Sequence, residues 1–249
     1  MRTCVRPIAA AALTLLGACG SITDPSGSEA LFARKPPKPP PPPKPAILFV
    51  HGFNSSANVW TTMIGRFRQD GWAASQLVAF SYNTAASNAT TANIIKQKVD
   101  SIRGSTGTPV VIIGHSMGTM SARHYTKNLG GGEMVSAVVS LAGANHGTST
   151  AAACAFLVVS CREMMPGSAF LTALNATDET WGSARYGAWW SPCDEVINPR
   201  ESALLAGGAD NTQTACLQHS QLHQDATVYA QVRAWVSQPP AATILAAVR

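Results

Sequence analysis

A serine flanked by glycines, in the segment Gly114–Gly118 (GHSMG), is the strongest candidate for chemistry in this sequence. The segment follows the β-branched run Val110–Ile113 and leads into Met117–Asn128, whose pattern predicts a helix. A tight turn from strand to helix leaves no room for Cβ atoms beside the serine, and it raises the hydroxyl above the end of the strand. A plain Gly-Ser surface turn is the alternative, but the flanking elements favour Ser116 as a nucleophile.

A serine hydroxyl is a weak nucleophile, so it needs a general base with an acid behind it. Two histidines, His219 and His223, lie well downstream of the serine. His219 directly follows Thr214–Leu217, which predicts a strand, and a loop at the carboxyl edge of a sheet would begin there. His223 lies closer to the last helix and is expected at the surface or as a capping residue. His219 is therefore the favoured base.

Asp194 is the favoured acid, because it follows the predicted strand Arg185–Trp190 and because the chain order serine, acid, histidine is the one that this kind of turn accompanies. The rival acids are Glu195, Asp178 and Asp210. Of these, Asp178 and Asp210 lie in polar segments typical of surface loops. Asp225 is expected to cap the last helix.

The sequence His51-Gly52-Phe53 follows the first apolar strand and predicts part of an oxyanion hole. Backbone N–H groups of Phe53 and Met117 are expected to hold the negative oxygen of a tetrahedral intermediate, an interaction whose loss typically costs ~10²–10³ in rate. His51 and His146 are expected to brace loops near the site rather than to act as bases.

From Ala46 onward, short apolar runs alternate with amphipathic stretches, which predicts an α/β fold with a mostly parallel sheet of about six strands and helices on both faces. The apolar segment 148–173 has no predicted form. Strands are predicted at Ile47–Val50, Leu77–Phe80, Val110–Ile113, Val135–Leu141, Arg185–Trp190 and Thr214–Leu217, and helices at Val59–Gln69, Thr91–Arg103, Met117–Asn128 and Asp225–Val236.

The first 18 residues predict a signal peptide, with Arg2 and Arg6 before a short apolar stretch. Leu16–Cys19 (LGAC) resembles the lipobox of bacterial lipoproteins, which predicts lipidation of Cys19 and a membrane tether; an ordinary cleaved signal is the alternative. Residues 19–45 then form a tether whose proline tract favours extended polyproline II, and residues 46–249 form the catalytic domain. The protein is expected to be exported, as a cell-envelope lipoprotein or a secreted protein.

The composition argues against a disordered chain and against a nucleic-acid-binding protein. Apolar residues make up 46% of the chain and charged residues only 12%, which excludes a disordered chain. The net charge of +5 comes from the leader and the proline tract, since 12 basic and 11 acidic residues follow from Ala46 onward. A nucleic-acid partner is therefore not expected. The oligomeric state is open, with a monomer favoured.

Four cysteines remain once Cys4 leaves with the leader and Cys19 carries lipid: Cys154, Cys161, Cys193 and Cys216. An even number in an exported chain predicts two disulfides. Three pairings exist, of which Cys154–Cys161 with Cys193–Cys216 is favoured. No Cys-x-x-Cys spacing occurs, and the single His-x-x-x-His spacing is that of His219 with His223; no metal site is expected.

From about Ala46 to Val236 the chain resembles bacterial triacylglycerol lipases and esterases of the α/β-hydrolase superfamily, nearest to small lidless and secreted actinobacterial lipases. In such relatives a histidine followed by Leu at +3 and Asp at +6 is the base, and an aspartate before a Val-Ile-x-Pro-like segment is the acid, which implies His219 and Asp194. The segments that carry the resemblance are Val50–Phe53, Gly114–Gly118, Leu141–Gly147, Cys193–Ile197 and His219–Asp225.

The resemblance implies a serine hydrolase that cleaves acyl esters of lipid-like substrates without a cofactor. Polyester depolymerisation, amide hydrolysis or acyl transfer at the same site are alternatives, and a non-catalytic tethered binding module is another. The chain departs from the family in its lipoprotein-like leader and in segment 148–173. That segment carries apolar side chains that would cover an acyl groove, namely Phe156, Leu157, Val158, Val159, Met164 and Met165.

Overall fold

The structure is a computed structural model that describes residues 44–238. The predicted signal peptide, Cys19 and most of the proline tract lie outside the described residues. Within 44–238 the predicted α/β fold is confirmed. Six strands form one fully parallel sheet in the order β2-β1-β3-β4-β5-β6. The strands are β1 (Ala46–Val50), β2 (Leu77–Ala79), β3 (Val110–His115), β4 (Val135–Leu141), β5 (Arg185–Trp190) and β6 (Asp210–Gln213).

Six α-helices accompany the sheet in the described part of the chain. They are α1 (Thr61–Gln69), α2 (Asn88–Thr106), α3 (Met117–Asn128), α4 (Val159–Met164), α5 (Ala169–Asn175) and α6 (Ala226–Val236). None of the helices within 44–238 is long and apolar enough to cross a membrane. The last helix begins as predicted, because the Asp225 carboxylate accepts hydrogen bonds from the N–H groups of Thr227 and Val228.

The sheet is covered on both faces, which explains why its central strands are apolar throughout. Successive strand residues point to opposite faces, so Leu48 packs in one cluster with Val99 of α2 and Ala122 of α3. The neighbouring Phe49 packs in the opposite cluster with Phe67 of α1 and others from α6. Burial on both faces is typical of parallel sheets joined by helical crossovers.

In the order β2-β1-β3-β4, the strand after β1 is added on one side of the sheet and the strand after β3 is added on the other. The chain leaves β1 toward one edge of the sheet and leaves β3 toward the other, so the loops that follow these two strands diverge. Such a switch point opens a crevice at the carboxyl ends of the strands. The segment after Val50 and the glycine-flanked turn after His115 therefore meet at one place.

The predicted strand Thr214–Leu217 is wrong. The last strand is β6, four residues earlier, and Thr214–Leu217 lies in the turn beyond it. The strand Asp210–Gln213 has the sequence DNTQ and is mostly exposed at the edge of the sheet, so no apolar alternation marks it. Backbone pairing with β5, rather than side-chain burial, forms this strand.

Segment 148–173 forms a helical insertion closed by a disulfide between Cys154 and Cys161. It contains α4 and the start of α5, and its buried side chains form a third apolar cluster with Met117 and Met120 of α3. The insertion is thus packed against the helix that begins at the candidate nucleophile.

Candidate active site

Ser116 lies at the sharp turn between β3 and α3. Its backbone has φ 55° and ψ −128°, a conformation that costs of order 1–3 kcal/mol for a residue other than glycine. Hydrogen bonds hold the turn, since the Ser116 N–H donates to the Leu141 carbonyl at 3.0 Å and the Thr119 N–H donates to the Ser116 carbonyl at 3.1 Å. Strand β4 and the first turn of α3 thus fix the strained residue.

His219 and Asp194 form a buried pair. His219 Nδ1 lies 2.9 Å from Asp194 Oδ2 and 3.1 Å from Oδ1, and both residues are less than a tenth exposed. Because a carboxylate only accepts, Nδ1 carries the proton and Nε2 is left with a lone pair. The N–H groups of Val196 and Ile197 each donate to Asp194 Oδ1 at 2.8 Å, which fixes the orientation of the carboxylate.

The ring of His219 lies beside the elbow. His115 Nε2 donates to the His219 carbonyl at 3.1 Å, and the centroids of the two rings are 4.6 Å apart. Since His115 precedes Ser116, this contact brings the base to the nucleophile turn. No hydrogen bond of residues 44–238 joins Ser116 Oγ to His219. Such bonds are often long before substrate arrives.

The rival acids have other partners. Asp178 accepts hydrogen bonds from Thr180 within its own turn, and Asp210 accepts one from the indole of Trp235. Glu195 contacts His219, but through the backbone N–H of the histidine rather than its ring. Of these four carboxylates, only that of Asp194 reaches the imidazole of His219.

The loop after β1 lies directly against the elbow. A Cβ atom added to Gly52 would stand 2.9 Å from Ser116 Cβ, closer than Cβ atoms pack in proteins. Phe53 and Met117 contribute to the same apolar cluster. Across the described residues, the N–H of neither one donates a hydrogen bond within the protein. The two N–H groups proposed from the sequence as an oxyanion hole thus flank the nucleophile turn.

His51 is held by its neighbours, as its expected bracing role requires. Its Nδ1 donates to the Gly52 carbonyl at 2.9 Å, and its carbonyl accepts from the Tyr82 hydroxyl at 2.5 Å. The imidazole stacks on the ring of Tyr82 at 4.2 Å. Burial lowers the pKa of His51 below its usual value, which favours the neutral ring beside the site.

The family model described as Lipase (class 2) matches residues 43–233. The chain belongs to the class 2 lipase family. The match spans most of the chain and includes every residue of the site described above, from His51 to His219. It also confirms the expected kinship with bacterial lipases and esterases.

Solved structures of lipolytic enzymes share the fold of this class 2 lipase. The mature form of Bacillus licheniformis lipase BlEst2 superposes with a TM-score of 0.69 at 15% identity, covering 79% of this chain and 94% of that one. Aspergillus fumigatus lipase B gives 0.67 at 14% identity, covering 79% and 53%. A Paleococcus ferrophilus monoacylglycerol lipase gives 0.58 at 12% identity, covering 78% and 93%. At such identities the likeness establishes the fold, while membership of the family supports ester hydrolysis.

Two disulfides are formed within residues 44–238 of the class 2 lipase, and they pair the cysteines as the sequence favoured. The bond between Cys193 and Cys216 joins the residue before Asp194 to a residue three positions before His219. It therefore ties together the two loops that carry the acid–base pair. Disulfides and family are both consistent with an exported protein. Within 44–238, no group of three or more His, Cys, Asp or Glu side chains is arranged to hold a metal ion.

A buried arginine supports the site and was missed by sequence reasoning. Arg123 of α3 is fully buried, and its guanidinium donates to the Asn145 carbonyl, to Asn175 Oδ1 and to the Glu179 carbonyl. Desolvation lowers the pKa of Arg123 to about 10, opposed by the charge of Glu179. The helix α3 also contains Lys127, and nothing in the sequence distinguishes Arg123 as the buried one of the two.

His146 has the loop-bracing contacts that were expected. Its Nε2 lies 2.8 Å from Glu179 Oε1, and this hydrogen bond raises the pKa of His146. Glu179 also accepts a hydrogen bond from the N–H of Ala206. The pair therefore links the loop after β4 to two later segments, while the ring stays away from the acid–base pair.

His223 is buried, so its expected position at the surface or at a helix cap is wrong. Its ring packs between Trp60, at 5.7 Å, and His115, at 4.6 Å between centroids. Neither ring nitrogen has a hydrogen-bond partner among the described residues. Desolvation by burial, followed by the charge of His219, lowers the pKa of His223 to about 4. Burial in this place therefore favours the neutral imidazole.

We expect acid to destabilise the protein through His223. The unfolded state takes up a proton near pH 6.5 and the folded state only near pH 4, so stability is present above pH 6.5 and is lost as the pH falls toward 4. The loss amounts to about 3 kcal/mol of unfolding free energy, and burial of His115 acts in the same direction. Urea denaturation across this range measures it. The variant His223→Phe should show a shallower pH dependence, and an unchanged slope would contradict the assignment.

Proposed function

We propose that this lipase cleaves carboxylic esters of lipid-like substrates through an acyl-enzyme on Ser116. The observation that carries the proposal is the buried hydrogen bond between His219 Nδ1 and Asp194. The backbone carbonyl of the same histidine accepts a hydrogen bond from His115, the residue before Ser116. Acid, base and strained serine come from three separate strand ends, and the arrangement matches the requirements of nucleophilic catalysis.

In the first half-reaction, Ser116 Oγ attacks the ester carbonyl carbon while His219 Nε2 accepts the hydroxyl proton. Asp194 holds the proton on Nδ1 and stabilises the imidazolium that forms. The carbonyl oxygen becomes negative and accepts hydrogen bonds from the N–H groups of Phe53 and Met117. Backbone donors of this kind need little reorganisation during the reaction. When the C–O bond to the alcohol breaks, His219 gives its proton to the leaving oxygen.

In the second half-reaction, water takes the place of the alcohol. His219 removes a proton from the water as its oxygen attacks the acyl carbon, and the same N–H groups hold the second oxyanion. Collapse releases the carboxylic acid and returns the proton to Ser116 Oγ. Every atom and proton is accounted for by the ester, one water and the three side chains.

Apolar side chains around the nucleophile support a substrate with an apolar acyl group. Met117 and Met120 pack with the insertion, and the partly buried rings of Phe53, Tyr82 and Trp190 adjoin the same cluster. An acyl chain that packs against these side chains is removed from water, which stabilises the complex by roughly 25 cal/mol per Å² of apolar area buried. Charged or sugar-like acyl groups would gain nothing from it.

Labelling with a fluorophosphonate probe tests the proposal. We expect the full chain to bind the probe covalently, and Ser116→Ala to lose both the label and its turnover of p-nitrophenyl acyl esters, by roughly 10⁶-fold. Ser105→Ala, which removes a hydroxyl from α2 far from the elbow, is the matched control and should keep both. Labelling of Ser116→Ala would assign the nucleophile elsewhere. An ester series from acetate to palmitate then ranks acyl preference.

We propose further that residues 1–18 direct export, that Cys19 carries lipid and that residues 19–45 hold the catalytic domain, residues 46–249, away from the membrane. The LGAC motif and the proline-rich composition support this arrangement. A monomer bears the complete set of proposed site residues, so a single chain suffices for the chemistry.

A further inference from the structure

Two adjacent apolar side chains project into solvent at the tip of the insertion. Phe156 is 92% exposed and Leu157 is 82% exposed, whereas the other exposed large hydrophobic residues of the described part of the chain are less than half exposed. Those others are Met134, Val159 and Trp181. Keeping two large apolar groups in water forgoes stabilisation, and a side-by-side pair marks a contact surface more often than single exposed residues do.

The tip is held in this exposed position by its own loop. The disulfide between Cys154 and Cys161 closes the loop at its base. Within it, the N–H groups of Leu157 and Val158 both donate to the Cys154 carbonyl, and Arg162 Nε donates to the Ala155 carbonyl at 3.4 Å. A loop closed in this way keeps Phe156 and Leu157 from folding back onto the protein.

The insertion is also fastened to the body of the protein. The carboxylate of Glu163 accepts hydrogen bonds from Ser87 Oγ at 2.5 Å, from Asn88 N–H at 2.7 Å and from Asn88 Nδ2 at 2.8 Å. Ser160 Oγ donates to the Thr84 carbonyl at 2.6 Å. These bonds join α4 to the start of α2, so the insertion forms a wall that is fastened to the body of the protein.

The wall is continuous with the proposed site. Side chains at the base of the loop, Cys161 and Met164, pack in the same cluster as Met117, and Phe53 adjoins that cluster. The base of the loop is therefore packed against the helix that begins directly after Ser116.

Charge indicates which surface fits. Arg162 and Glu163 are the only ionisable side chains between 148 and 176. Glu163 is occupied by Ser87 and Asn88, whereas Arg162 is exposed beside the tip. Two apolar side chains with an adjacent guanidinium complement a lipid surface that has anionic headgroups, because the apolar groups enter the acyl boundary and the cation stays with the phosphates.

We propose that Phe156 and Leu157 insert into an anionic lipid surface and hold the active-site opening against it, as a rigid contact rather than a moving lid. The purpose of the contact rests on the proposed function, since a lipid surface is where lipid-like esters reside. The adsorption itself requires no chemistry at Ser116.

Vesicle sedimentation with the full chain tests the proposal. Every sample carries Cys19→Ser, so that lipidation is removed and any contribution of the remaining leader is common to all. On vesicles of phosphatidylcholine and phosphatidylglycerol, Phe156→Ser with Leu157→Ser should weaken adsorption about 10- to 100-fold. Arg162→Gln should weaken it about fivefold on these vesicles and not on phosphatidylcholine alone.

A matched pair of substitutions serves as the control. Met134→Ser with Trp181→Ser also removes two exposed apolar side chains, but Met134 directly precedes β4, at the amino ends of the strands and opposite the site. This control should adsorb like the parent. Urea midpoints and near-unchanged turnover of soluble p-nitrophenyl acetate establish that the tip variant is folded, while its hydrolysis of emulsified tributyrin should fall with adsorption.

Three results would overturn the proposal. If adsorption to vesicles survives the loss of Phe156 and Leu157, the tip is not the contact surface. If the Met134/Trp181 control loses adsorption to the same extent, adsorption does not depend on the position of the apolar side chains. A parent dimer that dissociates in the tip variant, with vesicle binding unchanged, makes a second copy the partner. Ser116→Ala should adsorb normally, so failure of the catalytic proposal and failure of the docking proposal are separately visible.

Discussion

Replacing Asp194 by asparagine should lower kcat/KM for p-nitrophenyl esters by about 10⁴-fold while the protein stays folded. The asparagine carbonyl would take over the hydrogen bonds from Val196 and Ile197, which turns the amide NH₂ toward His219. A donor in that place forces His219 Nδ1 to become the acceptor and moves the ring proton to Nε2. The imidazole then meets the Ser116 hydroxyl with a proton instead of a lone pair and is unable to act as a base.

Two further carboxylates give this experiment its controls. Asp178→Asn alters an Asx turn in which the carboxylate accepts hydrogen bonds from Thr180 alone and should leave kcat unchanged. Glu195→Gln keeps an oxygen for the His219 N–H and should cost little. Steady-state kinetics with urea midpoints for all three variants separates chemistry from folding. If Asp194→Asn kept more than about a tenth of the parent rate, the carboxylate would have another role.

The elements that position Ser116 could be predicted because their causes are local. Gly114 is required by a neighbour five residues later, since an added Cβ atom would stand 3.0 Å from Thr119. The β-branched run before it reflects burial on both faces of a parallel sheet. The helix Met117–Asn128 and the strand Val135–Leu141 were predicted to the residue. In each case the information lies within the segment itself.

Features formed between distant segments could not be predicted in this way. The strand Asp210–Gln213 has polar side chains and exists because β5 offers its edge. His223 is buried by Trp60 and His115, which are remote from it in sequence. The hydrogen bonds of Arg123 reach residues 22 to 56 positions away. The local sequence around these residues contains no information about their partners, so sequence periodicity could not predict these contacts.

The close approach of α3 to the end of β1 is the reason to expect a large effect from one added methyl group. A Cβ atom on Gly118 would stand 2.5 Å from the carbonyl oxygens of both Val50 and His51. These atoms belong to backbone, one of them at the end of a central strand, so neither is free to move aside as a flexible side chain would. We expect Gly118→Ala to lower the free energy of unfolding by about 3 kcal/mol, measured by urea denaturation.

The same substitution should damage catalysis beyond its effect on stability. Relief of the clash requires α3 and the loop after β1 to separate, and these two segments carry the N–H groups of Met117 and Phe53. Loss of one oxyanion donor costs ~10²–10³ in kcat, so the folded fraction of Gly118→Ala should be slower by that factor. Gly65→Ala in α1 is the matched control, because no atom outside the local helix backbone lies within 4 Å of its added Cβ. Gly65→Ala should raise the free energy of unfolding by about 0.5–1 kcal/mol through helix propensity and keep full activity. If the same added methyl group stabilises the protein at 65 and destabilises it at 118, the loss at 118 comes from the contact between α3 and the end of β1.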